Sequence, residues 1–279
     1  MDNSYRHNFL RQVILKIDFS NIFEKDAEDF SCTTLRGICE SIGLNNVGSG
    51  FDNKASIKIN NSQDTNETPV IDELEKTKTW TFKKRSKDSD IEIKICKNYL
   101  YLLIDVNNKY DSVRNYLASI TKIMKELCTK YKNIDINRIG IRKINSCLIR
   151  TTTNINEYLK KTAIDYEKVL DISNNSKIQA ISEVSLLFKN NAYVNFARNI
   201  QFGKTSNDEE LYQVIIDIDS FINDYEYLSK NIDDIETLII GLNKTLFYVF
   251  DNCLTEKFKN CLKKERFDDN NIIGVNYED

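Results

Sequence analysis

The chain has 279 residues, of which 41% are hydrophobic and 29% are charged. These fractions are typical of a folded globular protein and exclude a chain that is disordered throughout. The formal net charge of −3 excludes the strongly basic field with which many proteins attract nucleic acid over their whole surface. The length allows one large domain or two small ones.

Cysteine and histidine are distributed in a way that predicts no metal site. Seven cysteines are present, no two of them form a CxxC pair, and His7 is the only histidine. Zinc sites need clustered Cys and His ligands at short spacings. We therefore expect no metal and no cofactor, and we expect reduced, mainly buried thiols. The cysteines are Cys32, Cys39, Cys96, Cys128, Cys147, Cys253 and Cys261.

The beginning of the chain shows no targeting signal. The sequence MDNSYRHNFLRQ is polar and lacks the apolar core of a signal peptide. A membrane span would need a run of about 18 apolar residues, and none is found. We therefore expect a cytoplasmic protein without a membrane contact. His7 is expected in a flexible N-terminal segment, so no Ser–His or Cys–His nucleophile and no catalytic residue is predicted.

The hydrophobic pattern of the first half predicts strands and two helices. Apolar residues at i, i+3, i+4 and i+7 favour a helix, and stretches rich in Val and Ile favour strands. The stretch 45–76 is rich in Asn, Ser, Gly and Asp and holds the only proline, so it predicts a loop. In chain order, the elements predicted around this loop are a strand at 10–19, a helix at 26–43, a strand meander at 77–105, a helix at 110–131 and a strand at 135–150.

The second half repeats this order loosely. Asp233 is a suitable N-cap for a long helix, and Thr255 would restart or kink that helix. In chain order, the predicted elements are a short helix at 155–163, strands at 178–189, 191–202 and 210–219, the helical region from Asp233, and a frayed tail at 267–279.

The order of elements predicts an α+β fold, in which antiparallel sheet meanders are covered by amphipathic helices. Two similar lobes, 1–151 and 152–279, suggest a pseudo-duplication within one compact unit. The alternative is one continuous antiparallel sheet with the helices packed on it.

Four blocks together resemble a sporadically distributed family of uncharacterised bacterial and archaeal proteins. The blocks are FLRQVILKIDF at 9–19, WTFKKRSKDSDIEIKICKNYLYLLI at 80–104, RIGIRKIN at 138–145, and IDID at 216–219 followed by the C-terminal helix. The chain departs from the family at Lys143, where an aromatic residue is common. The resemblance implies no activity for these positions. The patchy occurrence of the family implies genes that travel in mobile or defence-associated neighbourhoods.

The RxGxR segment is the first candidate site. Because side chains alternate along a strand, Arg138, Gly140 and Arg142 share a face. Gly140 would leave room for a ligand or another backbone, and guanidinium groups bind phosphate and carboxylate bidentately. The alternative is that both arginines are structural and pair with acids on a neighbouring strand. The residues of this candidate site are Arg138, Arg142, Asn145, Asp217 and Asp219.

The segment DIEIK is a second, weaker candidate. Asp90, Glu92 and Lys94 share one face of a strand. Their order resembles the ExK half of some nuclease sites, which need a further acid to hold Mg²⁺. The alternative is the solvated face of a half-buried strand.

Two hypotheses of function follow. In the first, the protein is a non-enzymatic interaction, adaptor or neutralising protein of a bacterial mobile-element or antiviral-defence system, and its partner is another protein encoded nearby. Such a protein should expose an apolar patch or an open sheet edge. In the second, it binds a nucleotide or nucleic acid and acts as a metal-dependent phosphodiesterase or nuclease.

Overall fold

The computed structural model describes residues 5–58, 70–161, 179–189 and 191–277. The strands are β1 (His7–Asn8), β2 (Leu10–Ser20), β3 (Asn46–Lys58), β4 (Val70–Lys84), β5 (Ser89–Ile95), β6 (Tyr99–Val106), β7 (Asp135–Arg150), β8 (Ala180–Lys189), β9 (Ala192–Lys204), β10 (Glu210–Ile222), β11 (Ile272–Ile273) and β12 (Asn276–Tyr277). The helices are α1 (Glu24–Phe30), α2 (Arg36–Ser41), α3 (Arg114–Lys130), α4 (Tyr225–Lys230), α5 (Ile235–Cys253) and α6 (Glu256–Lys263).

One large antiparallel sheet runs through the described part of the chain. Its strand order is β3-β4-β5-β6-β2-β7-β10-β9-β8, with β11 paired to β7 at one end of that strand. Outward from the central β2–β7 pair, the order is β6-β5-β4 on one side and β10-β9-β8 on the other. Each set of three is a meander whose last strand lies next to the centre, and a helix follows each meander. Because β7 pairs with both β2 and β10, the sheet is continuous across the lobe boundary expected at 151.

The helices cover one face of this sheet. From Val13 onward, buried residues of β2 alternate with partly buried ones, as the period of a strand with one covered face requires. Helix α3 buries the stripe that its apolar spacing predicts, and α5 packs on β7 and β10 and contacts α3. The fold is therefore α+β, with amphipathic helices on an antiparallel sheet. Among the described helices, none is both long and apolar enough to cross a membrane.

Most predicted elements are present near the expected positions. The strand predicted at 135–150 is β7, and the meander at 77–105 forms the end of β4 with β5 and β6. The helix expected at 26–43 is α1 and α2, joined by a π-helical segment at Ser31–Leu35. Helix α5 ends at Cys253. Thr255 caps α6, because its side chain accepts a hydrogen bond from the amide of Phe258.

The loop expected at 45–76 is wrong for most of its length. Residues 46–58 are strand β3, and β4 begins at Val70, so the two strands pair along a long hairpin. Strand pairing uses backbone groups, and a partner strand can impose it on a polar segment of low strand propensity. Residues 59–69 lie outside the described part.

The expected frayed tail is also wrong. Strand β11 pairs with β7, and β12 pairs with β1. The Arg11 side chain donates hydrogen bonds to the carbonyls of Ser146 and Gly274, at 3.1 and 2.6 Å. His7 is buried in β1, so its expected place in a flexible segment is corrected as well. The N-terminal and C-terminal segments are held by strand pairs between residues far apart in sequence. Such pairs cannot be predicted from local sequence patterns.

Two further boundaries differ from the expectation. The short helix predicted at 155–163 is a single 3₁₀ turn at Ile155–Glu157, with residues 162 and 163 outside the described part. The C-terminal helical region begins earlier than Asp233. Helix α4 is capped by Asp224, whose carboxylate accepts a hydrogen bond from the amide of Tyr227.

Candidate functional site

A groove lies on the open face of the sheet, opposite the helices, around the middle of β7. Arg138, Gly140 and Arg142 share this face because Ile139 and Ile141 are buried on the other. The groove has a volume of about 450 Å³. Its charged lining consists of Lys16, Asp52, Lys94, Arg138, Arg142 and Asp219.

Arg138 is bound on three sides. Its Nη2 donates a hydrogen bond to Oδ2 of Asp219 at 2.7 Å, and its Nη1 lies 3.8 Å from Oδ2 of Asp18. Its guanidinium carbon lies 4.5 Å from the ring centroid of Phe221, within the range of a cation–π contact. A Cβ on Gly140 would come within 2.8 Å of Nη1 of Arg138. The space that the glycine leaves is therefore occupied by this arginine.

Arg142 forms a bidentate ion pair with Asp217. Its Nε and Nη2 donate to Oδ1 and Oδ2 of Asp217 at 2.8 and 2.5 Å. This hydrogen bonding raises the pKa of the Arg142 guanidinium, so it stays charged. In the register of β7 and β10, Arg142 lies opposite Asp219. The pairing is therefore diagonal: Arg142 reaches Asp217, while Arg138 crosses Gly140 to reach Asp219.

Asp219 is the most buried acid of the groove lining. Burial raises its pKa above the ordinary value of 3.8, and this effect outweighs the opposing attraction of Arg138 and Arg142. The attraction of the two arginines therefore limits the rise in pKa that burial causes.

Asn145 does not belong to this groove. It is 4% exposed and lies on the helix side of β7, where its Nδ2 donates to the carbonyl of Ile216 at 3.3 Å. Its odd number along the strand places it on the opposite face from Arg138 and Arg142. Asn145 therefore has a structural role in the described chain.

The three candidate residues of β5 do not form one site, because Asp90 lies at a turn and only Lys94 lies in the groove. Asp90 accepts a hydrogen bond from the amide of Ser86 at 3.3 Å and caps the β4–β5 turn. Glu92 pairs with Lys83 at 2.6 Å and lies 3.8 Å from Lys94. Only Lys94 lines the groove.

Lys16, Tyr99 and Asp52 are groove residues that were not predicted as site residues from the sequence. Lys16 forms an ion pair with Asp18 at 2.6 Å and lies 4.9 Å from the ring centroid of Tyr99. The hydroxyl of Tyr99 donates a hydrogen bond to Asp52, and Nζ of Lys94 lies 3.5 Å from Oδ1 of Asp52. Burial raises the pKa of Tyr99, so this hydroxyl remains a donor. The alternation of β2 and β6 marks Lys16 and Tyr99 as exposed-face residues, but Asp52 lies in the segment expected as a loop.

Basic and acidic side chains in and beside the groove are paired with one another. Five basic side chains are matched by five carboxylates, and each of these arginines is paired within the chain. The basic residues are Lys16, Lys83, Lys94, Arg138 and Arg142, and the acidic residues are Asp18, Asp52, Glu92, Asp217 and Asp219. Among the residues that the structure describes, no group of three His, Cys, Asp or Glu side chains is placed to hold a metal ion.

The outer edge strand β8 exposes apolar side chains on both faces. Val184, Leu186, Leu187 and Phe188 are 70%, 63%, 54% and 62% exposed. In the described chain, β8 pairs with β9 on one side and with no strand on the other. Isolated exposed apolar residues are ordinary on protein surfaces, but a run of them along an open edge is not.

An aromatic ladder joins this edge to the groove. The ring of Phe188 lies 4.7 Å from that of Tyr193, and Tyr193 stacks on Phe221 at 5.4 Å. Phe221 then contacts Arg138. The cross-strand register puts these rings side by side on the open face of β8, β9 and β10.

The chain matches no protein-family model, no curated protein and no solved structure.

Proposed function

We propose that the protein is a non-enzymatic interaction protein that binds another protein through the edge of β8. The observation that carries this proposal is the run of four exposed apolar side chains from Val184 to Phe188 on a strand with one open side in the described chain. Such an edge offers unpaired backbone groups for strand addition and apolar side chains for packing.

The contacts of the candidate site residues support an interaction protein over an enzyme. Arg138 and Arg142 are each engaged by an aspartate, and Asp90 is used in a turn. These contacts join neighbouring strands and a turn, which supports a structural role for the three residues. The open edge, by contrast, has exposed groups that the described part of the fold leaves unused.

For the cellular role, the support is the family resemblance of the sequence blocks. We place the protein in the bacterial cytoplasm, as an adaptor or neutralising protein of a mobile-element or antiviral-defence system. Its partner would be a protein encoded nearby, and the edge of β8 would carry the contact.

Affinity capture with a substituted edge tests this proposal. Leu186→Lys places a charge in the middle of the apolar run, whereas Val47→Lys places the same charge on β3, the other edge strand, where Val47 is 45% exposed. A partner protein should be captured from the native host by wild type and by Val47→Lys, and lost with Leu186→Lys. Recovery of the same proteins by wild type and Leu186→Lys would overturn the proposal.

A second candidate function is the binding of a nucleotide in the groove, as the ligand site of a phosphodiesterase or nuclease. Its support is a groove of about 450 Å³ lined by four basic side chains and two tyrosines, a size suited to a small ligand. Phosphate would have to compete with Asp217 for Arg142. Nucleotide-induced thermal shifts, with and without Mg²⁺, should then disappear in Arg142→Ala and persist in Arg36→Ala, which removes an exposed arginine of α2. Equal shifts in both variants would count against this function.

The two lobes are proposed to descend from a duplication. The support is the topology, because β2 with its meander β4-β5-β6 and helix α3 corresponds in order to β7 with β8-β9-β10 and helix α5. The duplicated lobes would share one sheet through the β2–β7 pair.

A further inference from the structure

We propose that the edge of β8 pairs with the same edge of a second copy, so that two chains form a two-fold dimer with one continuous sheet. The inference rests on the proposed function: a second copy covers this edge first, and the partner protein would bind by replacing that copy. Symmetric pairing covers both open edges at once and closes the assembly. An apolar edge left uncovered is a site at which chains can aggregate.

Symmetry restricts how the two strands can pair. Two antiparallel edges of one continuous sheet are related by a two-fold axis perpendicular to that sheet, so each face of one copy continues as the same face of the other. Directly opposite residues must then point to the same side. One residue of β8 therefore lies opposite its own copy, and the axis passes between these two copies. The axis cannot lie level with the peptide bond between two neighbouring residues.

Charge complementarity selects that residue. Only an axis through Leu186 places Glu183 opposite Lys189 of the second copy, and it does so twice. The same register places Val184 opposite Phe188 on the open face and Leu186 opposite itself. An axis through Ser185 would instead place Glu183 opposite Leu187 and Lys189 opposite Ile181, which leaves both charges against apolar neighbours.

Glu183 is held in a position suited to this role. Arg198, which is 5% exposed, donates from Nε and Nη2 to the same oxygen, Oε2 of Glu183, at 2.9 and 2.6 Å. Among the contacts of the described residues, Oε1 is left for a second cation. The carboxylate is therefore oriented by Arg198 while Lys189 is exposed at the far end of the strand.

The dimer would also extend the aromatic ladder. Phe188 already contacts Tyr193, which stacks on Phe221. With the axis on Leu186, Val184 of one copy packs against Phe188 of the other, because directly opposite side chains of antiparallel strands touch. The three open-face side chains of each β8 would form one apolar strip across the interface.

Sedimentation velocity with paired charge variants tests the axis. Wild type should sediment as a dimer, and Leu186→Lys and Leu186→Glu should each be monomers because like charges meet on the axis. An equimolar mixture of these two variants should regain the dimer, because the introduced lysine of one chain then faces the introduced glutamate of the other. The matched variants Val47→Lys and Val47→Glu should leave the wild-type dimer unchanged.

Disulfide trapping checks the register independently. In a Cys32→Ser background, which removes the exposed native thiol, Leu186→Cys should form a linked dimer on mild oxidation. Opposite residues of antiparallel strands have Cα atoms about 4.5–5.5 Å apart, within the range of a disulfide. Val184→Cys should link poorly alone, and readily when Phe188→Cys is present as well.

The outcomes separate this inference from the proposed function. The proposed dimer through β8 would be overturned if the wild type stays monomeric. It would also be overturned if the Leu186→Lys variant remains a dimer. In the first case the edge would still be open to a different protein, and the capture experiment decides that question alone. A partner lost with Leu186→Lys from a monomeric bait would support the proposed function while the dimer is rejected.

Discussion

The guanidinium of Arg138 lies directly over Gly140, where any Cβ would come within 2.8–2.9 Å of its atoms. Because Gly140 has no side chain, the side chain of Arg138 can lie over it. From there Arg138 reaches Asp219 and Phe221 on β10. In the structure, the motif therefore forms a cross-strand ion pair.

Gly140→Ala should destabilise the protein, because the new methyl group must displace the guanidinium of Arg138 from its partners. We expect a loss of about 1 kcal/mol in the free energy of unfolding, measured in urea. Gly203→Ala is the matched control on β9, because the Cβ that alanine adds there meets no atom within 4 Å. That control should be neutral or stabilising by up to about 1 kcal/mol, since alanine is favoured over glycine in a strand. In an Arg138→Ala background the two alanines should behave alike, and a persistent cost at position 140 would refute the explanation.

Arg138→Ala should make stability depend on pH through Asp219. The pKa of Asp219 is already raised above its ordinary value of 3.8 by burial, and loss of the arginine should raise it further. Because the folded state then binds the proton more tightly than the unfolded state, stability is regained as pH falls through the raised pKa toward 3.8. The variant should lose about 1–2 kcal/mol at pH 7, and this deficit should shrink by pH 5.

Urea unfolding of Arg138→Ala at both pH values measures this effect. The double variant Arg138→Ala with Asp219→Asn should show no such recovery. A deficit that is equal at pH 7 and pH 5 would mean that Asp219 does not need its arginine.

Ile272→Ala should be far more harmful than Ile273→Ala. Ile272 is 6% exposed and Ile273 is 38% exposed, although both lie in β11 and pair with β7. We expect losses of about 2–4 kcal/mol for the first and below about 1 kcal/mol for the second. Thermal unfolding of the two variants provides the measurement. Similar small losses for both would restore the view that the tail is frayed.

Asp251 should stabilise the fold above its ordinary pKa. Burial acts to raise the pKa of this carboxyl, but hydrogen bonds from Lys259 and Tyr5 lower it below 3.8 overall. Because the pKa is depressed in the folded state, its contribution is present above 3.8 and is lost as pH falls through the folded value. The stability difference between wild type and Asp251→Asn should therefore be largest near pH 6 and shrink between pH 4 and pH 3.

Chemical unfolding across this pH range measures the difference. Glu126→Gln, at an exposed position of α3, is the control variant measured at the same pH values. A difference for Asp251→Asn that does not change with pH would mean that the bonds from Lys259 and Tyr5 do not depend on the charge.

Local patterns in the sequence determined most of the regular elements. The stripe from Val113 to Leu127 sets the buried face of α3, because residues at helical spacing meet on one side. The alternation in DINRIGIRKINSC sets which face of β7 carries Arg138 and Arg142. Both patterns depend only on the geometry of a single element, so the buried face of each element can be predicted from the sequence alone. The same alternation shows why Asn145 cannot join the arginines.

Only the tertiary structure decided what these residues contact. The diagonal choice of Asp219 by Arg138 and of Asp217 by Arg142 depends on the register of β7 and β10, which no local pattern encodes. Strand β3 and the attached tail exist because distant strands supply their hydrogen-bond partners. The open edge of β8 is likewise a property of its place at the end of the described strand order. Composition, charge and periodicity therefore set the elements and their faces, while long-range pairing decided which charges are neutralised and which surface is left open.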